Sequence, residues 1–157
     1  MAEFDFDLDF KPSYNIAPTE QAPVIMKDKA TIGTFGLDVD WQDSLIINTR
    51  SDSLDKDVYK GMQRCIVPAD GFYEWKHSGR IKVPYRITRE DEKVFAFPAM
   101  CKEDHFSIIT VQPDQAVRAV HDRMPKVLDS SQARRWLGGE DVLSENGPAL
   151  TLYQVTQ

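Results

Sequence analysis

The sequence predicts an α+β fold that is mostly β, a rolled antiparallel sheet with a few short helices. Three observations carry this. The apolar runs are short, rich in β-branched and aromatic residues, and separated by glycine, proline and acidic turns. Only one stretch carries a full set of helix start and stop signals. At 157 residues, without a repeat, low-complexity tract or dividing linker, the chain suits one domain with a sizeable core.

Taken in order, residues 4–10 alternate apolar and acidic, a strand pattern with one apolar and one anionic face. This acidic arm reads as an added edge strand, or as a cover for a basic groove. Pro12 to Thr19 form a loop fixed by two prolines, with Asn15 as a polar anchor. Ala22 to Lys27 and Thr31 to Leu37 make a strand pair around Lys27-Asp28-Lys29. Trp41 is read either as rim packing or as a stacking platform for bases. Ser44 to Ile47 form a further strand, followed by the polar loop Asn48-Thr49-Arg50-Ser51-Asp52-Ser53. A polar cluster straight after a buried strand is rigidly held yet exposed, a common place for a site. Asn48 suits orienting a substrate, Arg50 suits clamping a phosphate, and Ser51 or Ser53 suits capping a short helix through Lys60.

The chain is organised around Arg64 to Lys76. Cys65-Ile66-Val67 reads as a buried strand and Pro68 to Gly71 as a turn. Phe72-Tyr73-Glu74-Trp75 then forms a second strand, with Phe72 and Glu74 on one face. A carboxylate among rings is desolvated and becomes a better proton donor near neutrality, whereas a strand-edge Glu74 would instead pair with Lys76 or Arg64. His77 to Arg80 turn the chain back into Val83 to Ile87. Val94 to Met100 and Phe106 to Val111 are two more strands, and Asp114 to Val120 supply one or two helical turns. His121 then sits in a polar loop, where an imidazole serves as acid, base or donor. The well-signalled helix starts at Asp129-Ser130, turns Ala133, Trp136 and Leu137 inward, and stops at Gly138-Gly139. Leu150 to Val155 are the last strand.

The net charge of −6 argues against a nucleic-acid partner until its distribution is considered. Four acids and no base lie within residues 1–10, whereas basic residues outnumber acidic ones eight to three across residues 56–89. A second local excess includes Arg118, Arg123, Lys126, Arg134 and Arg135. Such a basic centre with acidic margins suits phosphate. Cys65 and Cys101 lie in apolar strands and are expected as two reduced core thiols of a cytoplasmic protein. No metal and no cofactor are expected, since the histidines are scattered and no Cys-x-x-Cys occurs. No apolar run approaches the roughly 20 residues of a membrane span, and no signal peptide is read.

The blocks Pro12-Ser13-Tyr14-Asn15-Ile16-Ala17-Pro18, Ile47-Asn48-Thr49-Arg50-Ser51-Asp52, Asp70-Gly71-Phe72-Tyr73-Glu74-Trp75 and His121-Asp122-Arg123-Met124-Pro125 occur in that order. Over roughly residues 12–137 the chain thereby resembles the SOS response-associated peptidase (SRAP) family, whose members act on abasic sites in single-stranded DNA. The resemblance implies a single β-rich domain rolled as an open barrel, with a basic cleft. It implies that Asn48, Glu74 and His121 line a catalytic site, with Arg50 near the DNA phosphates; Asn15, Arg123 and Trp41 are further candidate contacts to DNA. In the family an N-terminal cysteine closes a thiazolidine on the abasic aldehyde and also supports autocleavage of the initiator residue.

Here the sequence departs from the pattern. It begins Met1-Ala2-Glu3 in place of an N-terminal cysteine block, residues 1–11 are divergent and acidic, and the C-terminal part is shorter than the family's. A thiazolidine needs amine and thiol on adjacent carbons, so Cys65 and Cys101 cannot substitute. The stable cross-link is therefore expected to be impaired, with the α-amine of Ala2 left as the candidate nucleophile for a Schiff base. Two further readings stand beside this one: a non-catalytic single-stranded DNA-binding module, and a protein-interaction domain that keeps only the fold.

Overall fold

The computed structural model describes residues 19–40, 43–56, 59–91, 93–113 and 123–155, without the Ser78 side chain. Ala2, the strand expected over residues 4–10, Asn15, Trp41, the helical turns expected over 114–120 and His121 lie outside them.

The described residues form strands β1 (Gln21–Ile25), β2 (Ala30–Phe35) and β3 (Asn48–Arg50), then β4 (Gln63–Ala69), β5 (Phe72–Ser78) and β6 (Ile81–Arg89). After β7 (Phe95–Lys102), β8 (His105–Val111) and β9 (Met124–Pro125) come helix α1 (Ser130–Leu137) and strand β10 (Leu150–Gln154). One sheet runs β2-β1-β4-β7-β8-β3, with β9 added on β8. Neighbours from β2 to β8 are antiparallel. The sheet rolls until β2 meets β8 in parallel through Thr34↔His105 and Phe35↔Phe106. Gly33 makes that closure possible: a Cβ there would lie 2.7 Å from Val24 Cγ2 and 3.1 Å from Phe106 Cδ1. The second sheet is β10-β6-β5, antiparallel throughout. This is the mostly β, rolled architecture expected, with parallel contacts where β2 and β3 meet β8.

Two apolar clusters hold it together. Inside the roll, Val24, Val67, Phe97 and Phe106 pack with Phe72 and Ile87 of the small sheet. Phe72, Phe95 and Phe97 meet edge to face at centroid distances of 5.3 to 6.4 Å, which docks the small sheet on the roll. Outside the roll, Ile66, Met100 and Ile109 pack with Trp136 and Ala133 of α1. Strand β7 is covered on both sides, and its residues are buried from Phe95 through Cys101.

Helix α1 follows its sequence signals closely. Asp129 accepts from the Gln132 amide while the Gln132 side chain accepts from the Asp129 amide, a reciprocal capping box. The Trp136 indole donates to the Cys65 carbonyl at 3.0 Å, and Arg64 lies 3.9 Å over the Trp136 ring. Arg64 also donates to the carbonyls of Trp136 and Glu140. It therefore belongs to the helix side of the roll, and the alternative pairing with Glu74 is not made.

Several expectations need correction. Cys65 and Cys101 are joined in a disulfide, not held as two thiols. The β4–β7 register explains it: Gln63 faces Cys101 and Cys65 faces Ala99, so the cysteines are diagonal neighbours on the inner face, with Cα atoms 6.4 Å apart. The strand expected over Ser44 to Ile47 reduces to one bridge, Leu37↔Ile46, and the extended segment comes next, at Asn48–Arg50. Of the helix expected through Lys60, Ser51–Ser53 form a three-residue 3-10 turn with no side-chain cap, and residues 57–58 lie outside the described residues. Pro68 continues β4, leaving Asp70-Gly71 as the turn. No described helix is long and apolar enough to cross a membrane.

Candidate functional site

Strand β3 lies parallel to β8, pairing Asn48↔Ile108, Thr49↔Ile109 and Arg50↔Thr110. Strand alternation sends Thr49 one way and Asn48 and Arg50 the other. Thr49 is buried and shares a 2.5 Å hydrogen bond with the Ser107 hydroxyl, and it donates to the Tyr59 hydroxyl at 3.2 Å. This polar contact fixes a short edge strand against β8, leaving Asn48 and Arg50 exposed. Ile108, the cross-strand neighbour of Asn48, belongs to the inner cluster, so the strand end bearing Asn48 and Arg50 stands where the lining of the roll reaches solvent.

Arg123 converges on the same place. It precedes β9, and its guanidinium donates to the carbonyl and hydroxyl of Thr110 at 2.8 and 3.3 Å. Thr110 is thus both the register partner of Arg50 and the anchor of Arg123. Asp52 is bound by Arg50 and also feels the charge of Arg123. Arg50 Nε and Nη2 each donate to one Asp52 oxygen at 3.0 Å, a bidentate pair with both side chains more than half exposed. The hydrogen bond from Arg50 holds the Asp52 carboxyl below the ordinary aspartate range, with a further contribution from the charge of Arg123.

Glu74 lies on the small sheet. It is half-buried on β5, opposite Tyr85 of β6, and shares its face with Phe72, which is seated in the inner cluster. Gly71 lets β5 start close against β6, because a Cβ there would meet the Ile87 carbonyl at 3.0 Å and Thr88 Cγ2 at 3.2 Å. The two faces that bear Asn48 with Arg50 and Glu74 are therefore both continuous with one core. Of the predicted site residues, Asn48, Arg50, Glu74 and Arg123 are described; Ala2, Asn15, Trp41 and His121 are not.

The basic surplus divides on inspection. Arg64 is spent on α1, and Arg89 binds Asp91 and the Val94 carbonyl. Arg135 is held by Glu140 and Glu145, and the Lys126 ammonium donates to the Glu145 carbonyl. A hollow of about 390 Å³ opens beside Ser51, Val111, Met124, Lys126 and Glu145. Among the described residues, no group of three or more histidine, cysteine or acidic side chains is placed to hold a metal. The sequence reading missed Asp52, Thr49 and Thr110. The available signal was hydroxyl or acid at alternate positions around Arg50, and a threonine closing the run Ile108-Ile109-Thr110.

The family model described as SOS response associated peptidase (SRAP) matches residues 2–157. The abasic site processing protein YoaM of Bacillus subtilis is 32% identical over 163 residues, covering 86% of this chain and 72% of that protein. The abasic site processing protein HMCES of Xenopus tropicalis is 28% identical, covering 82% and 54%. Among solved structures, a phage-related protein of Bordetella bronchiseptica superposes with a TM-score of 0.78 at 26% identity, covering 98% of this chain and 86% of that one. A protein of Bacteroides thetaiotaomicron, at 24% identity and a TM-score of 0.74 over 88% and 75%, shares the fold. Motif order, rolled sheet and family match agree, and the chain belongs to the SOS response-associated peptidase family.

Proposed function

We propose that this protein binds abasic sites in single-stranded DNA and engages the opened sugar through an amine. The observation that carries the reading is the convergence of Arg50 and Arg123 on Thr110, beside Asn48 and along the core from Glu74. Two guanidiniums at one strand end suit a phosphate of the DNA backbone, and an amide with a half-buried carboxyl suits a polar sugar. The names of the relatives, abasic site processing proteins, support the same substrate.

In this reading the α-amine of Ala2, freed by removal of Met1, attacks the aldehyde carbon of the ring-opened abasic sugar. The carbinolamine then loses water to give an imine. Glu74 delivers the proton that leaves with that water, and His121 assists formation or reversal. An ordinary α-amine has a pKa near ~8, so an appreciable fraction is neutral at pH 7, unlike an ordinary lysine. Neither Cys65 nor Cys101 supplies a thiol to close a thiazolidine on the adduct, because both lie mid-chain and are bound to each other. The imine is therefore reversible, and β-elimination from it nicks the strand 3′ to the site.

Borohydride reduction of the protein mixed with an abasic oligonucleotide tests this. A covalent adduct is expected, its rate of formation reduced about a hundredfold in Glu74→Gln, the lower end of the range for general acid–base help. No adduct and no nicking, with DNA binding intact, would leave the non-catalytic binding module as the better reading.

A further inference from the structure

Arg50 already holds an anion. Asp52 grips its guanidinium through both oxygens at 3.0 Å, the bidentate fork-to-fork geometry a phosphate would adopt on the same donors. The pair is open to solvent, at 57% and 63% side-chain exposure. Exposed pairs of this kind add little to folding. Asp52 lies within a 3-10 turn whose residues include no buried side chain, so its carboxylate can swing away without disturbing a core. The other cation of the site, Arg123, acts on the same carboxylate and is fixed in place by Thr110.

We propose that Asp52 is a resident phosphate surrogate, which occupies Arg50 beside Arg123 and must be displaced when a DNA phosphate docks there. The inference rests on the single-stranded DNA reading above and adds to it the residue that sets affinity and discrimination. An anion that binds through one oxygen competes poorly with a bidentate carboxylate. A backbone phosphate with oxygens for both guanidiniums displaces it. In its absence the site is self-neutralised, which limits capture of unrelated anions.

The test is fluorescence anisotropy of a labelled abasic oligonucleotide across a salt series. Asp52→Asn keeps the shape but removes the charge, and is expected to bind about two- to fivefold more tightly at low salt, the scale of an exposed ion pair. Asp55→Asn, the same charge change nearby in the sequence, should not reproduce the gain. In an Arg50→Ala background the benefit of Asp52→Asn should vanish, since the released cation is gone. Wild-type binding with unchanged or weaker binding by Asp52→Asn would overturn the surrogate role and make Asp52 a positioning support for Arg50. An equal gain from Asp55→Asn would also overturn it, leaving only bulk charge. Absence of binding by every variant would overturn it together with the DNA reading.

Discussion

Arg50 is exposed at a strand end, tied to Asp52 and paired across the ladder with the residue that anchors Arg123. Its removal should therefore act on phosphate contact and not on folding. Arg50→Ala is expected to weaken single-strand binding for all sequences alike and to shallow the salt dependence by roughly 0.7 per lost contact. The thermal midpoint should stay close to wild type. The same pair makes a statement about acid. Asp52 has its folded pKa lowered by the bond from Arg50, so the contribution of the pair is complete above the ordinary aspartate range. It is lost only as pH falls through the lowered folded value. Carboxyl NMR should find Asp52 titrating below an ordinary aspartate, and moving upward in Arg50→Ala. Thr49 behaves oppositely, being buried with no solvent to replace its partners. Thr49→Val should cost about 1–3 kcal/mol by leaving the Ser107 hydroxyl unsatisfied. Asn48, Arg50 and Glu74 stand out in the sequence because amide, guanidinium and carboxyl contrast with apolar strands. Asp52 and Thr49 do not, because a hydroxyl or acid beside a turn looks like ordinary turn chemistry until the register is known.

Strand β5 is the element that joins stability to chemistry. Phe72 packs edge to face against both Phe95 and Phe97, and Glu74 follows two residues later on the same face. Phe72→Ala should cost about 3–5 kcal/mol, measured by denaturant unfolding, and should depress borohydride trapping in the fraction that remains folded. If trapping per folded molecule were unchanged, the position of Glu74 would not depend on that anchor. Alternating and capped elements were readable in advance: β1 and β2 from the turn between them, β5 from its aromatic alternation, α1 from Asp129 and the glycine pair. Elements held by their neighbours were not. β3 is three residues long and polar at both ends, and it is extended because β8 supplies its partners. β9 is two residues, one of them proline, with no periodicity to read.

Across the whole molecule, the roll brings distant segments together and decides what the cysteines do. Single-sequence reasoning judged Cys65 and Cys101 by compartment; the β4–β7 register sets them side by side. Intact mass after unfolding without reductant should show the chain two hydrogens lighter than its fully reduced form, with no labelling by a thiol reagent. Full labelling would contradict the disulfide. Charge also makes sense only at this scale. The protein is acidic overall, yet Arg50 and Arg123 meet at one strand end while Arg64, Arg89 and Arg135 are engaged elsewhere. The central claim is that this end of the roll is shaped for a damaged sugar in a single strand. Equilibrium binding to two otherwise identical oligonucleotides, one carrying a single abasic site, tests it most directly. The account predicts at least about tenfold tighter binding to the abasic strand, some 1.4 kcal/mol. Equal affinity for the two strands would contradict it.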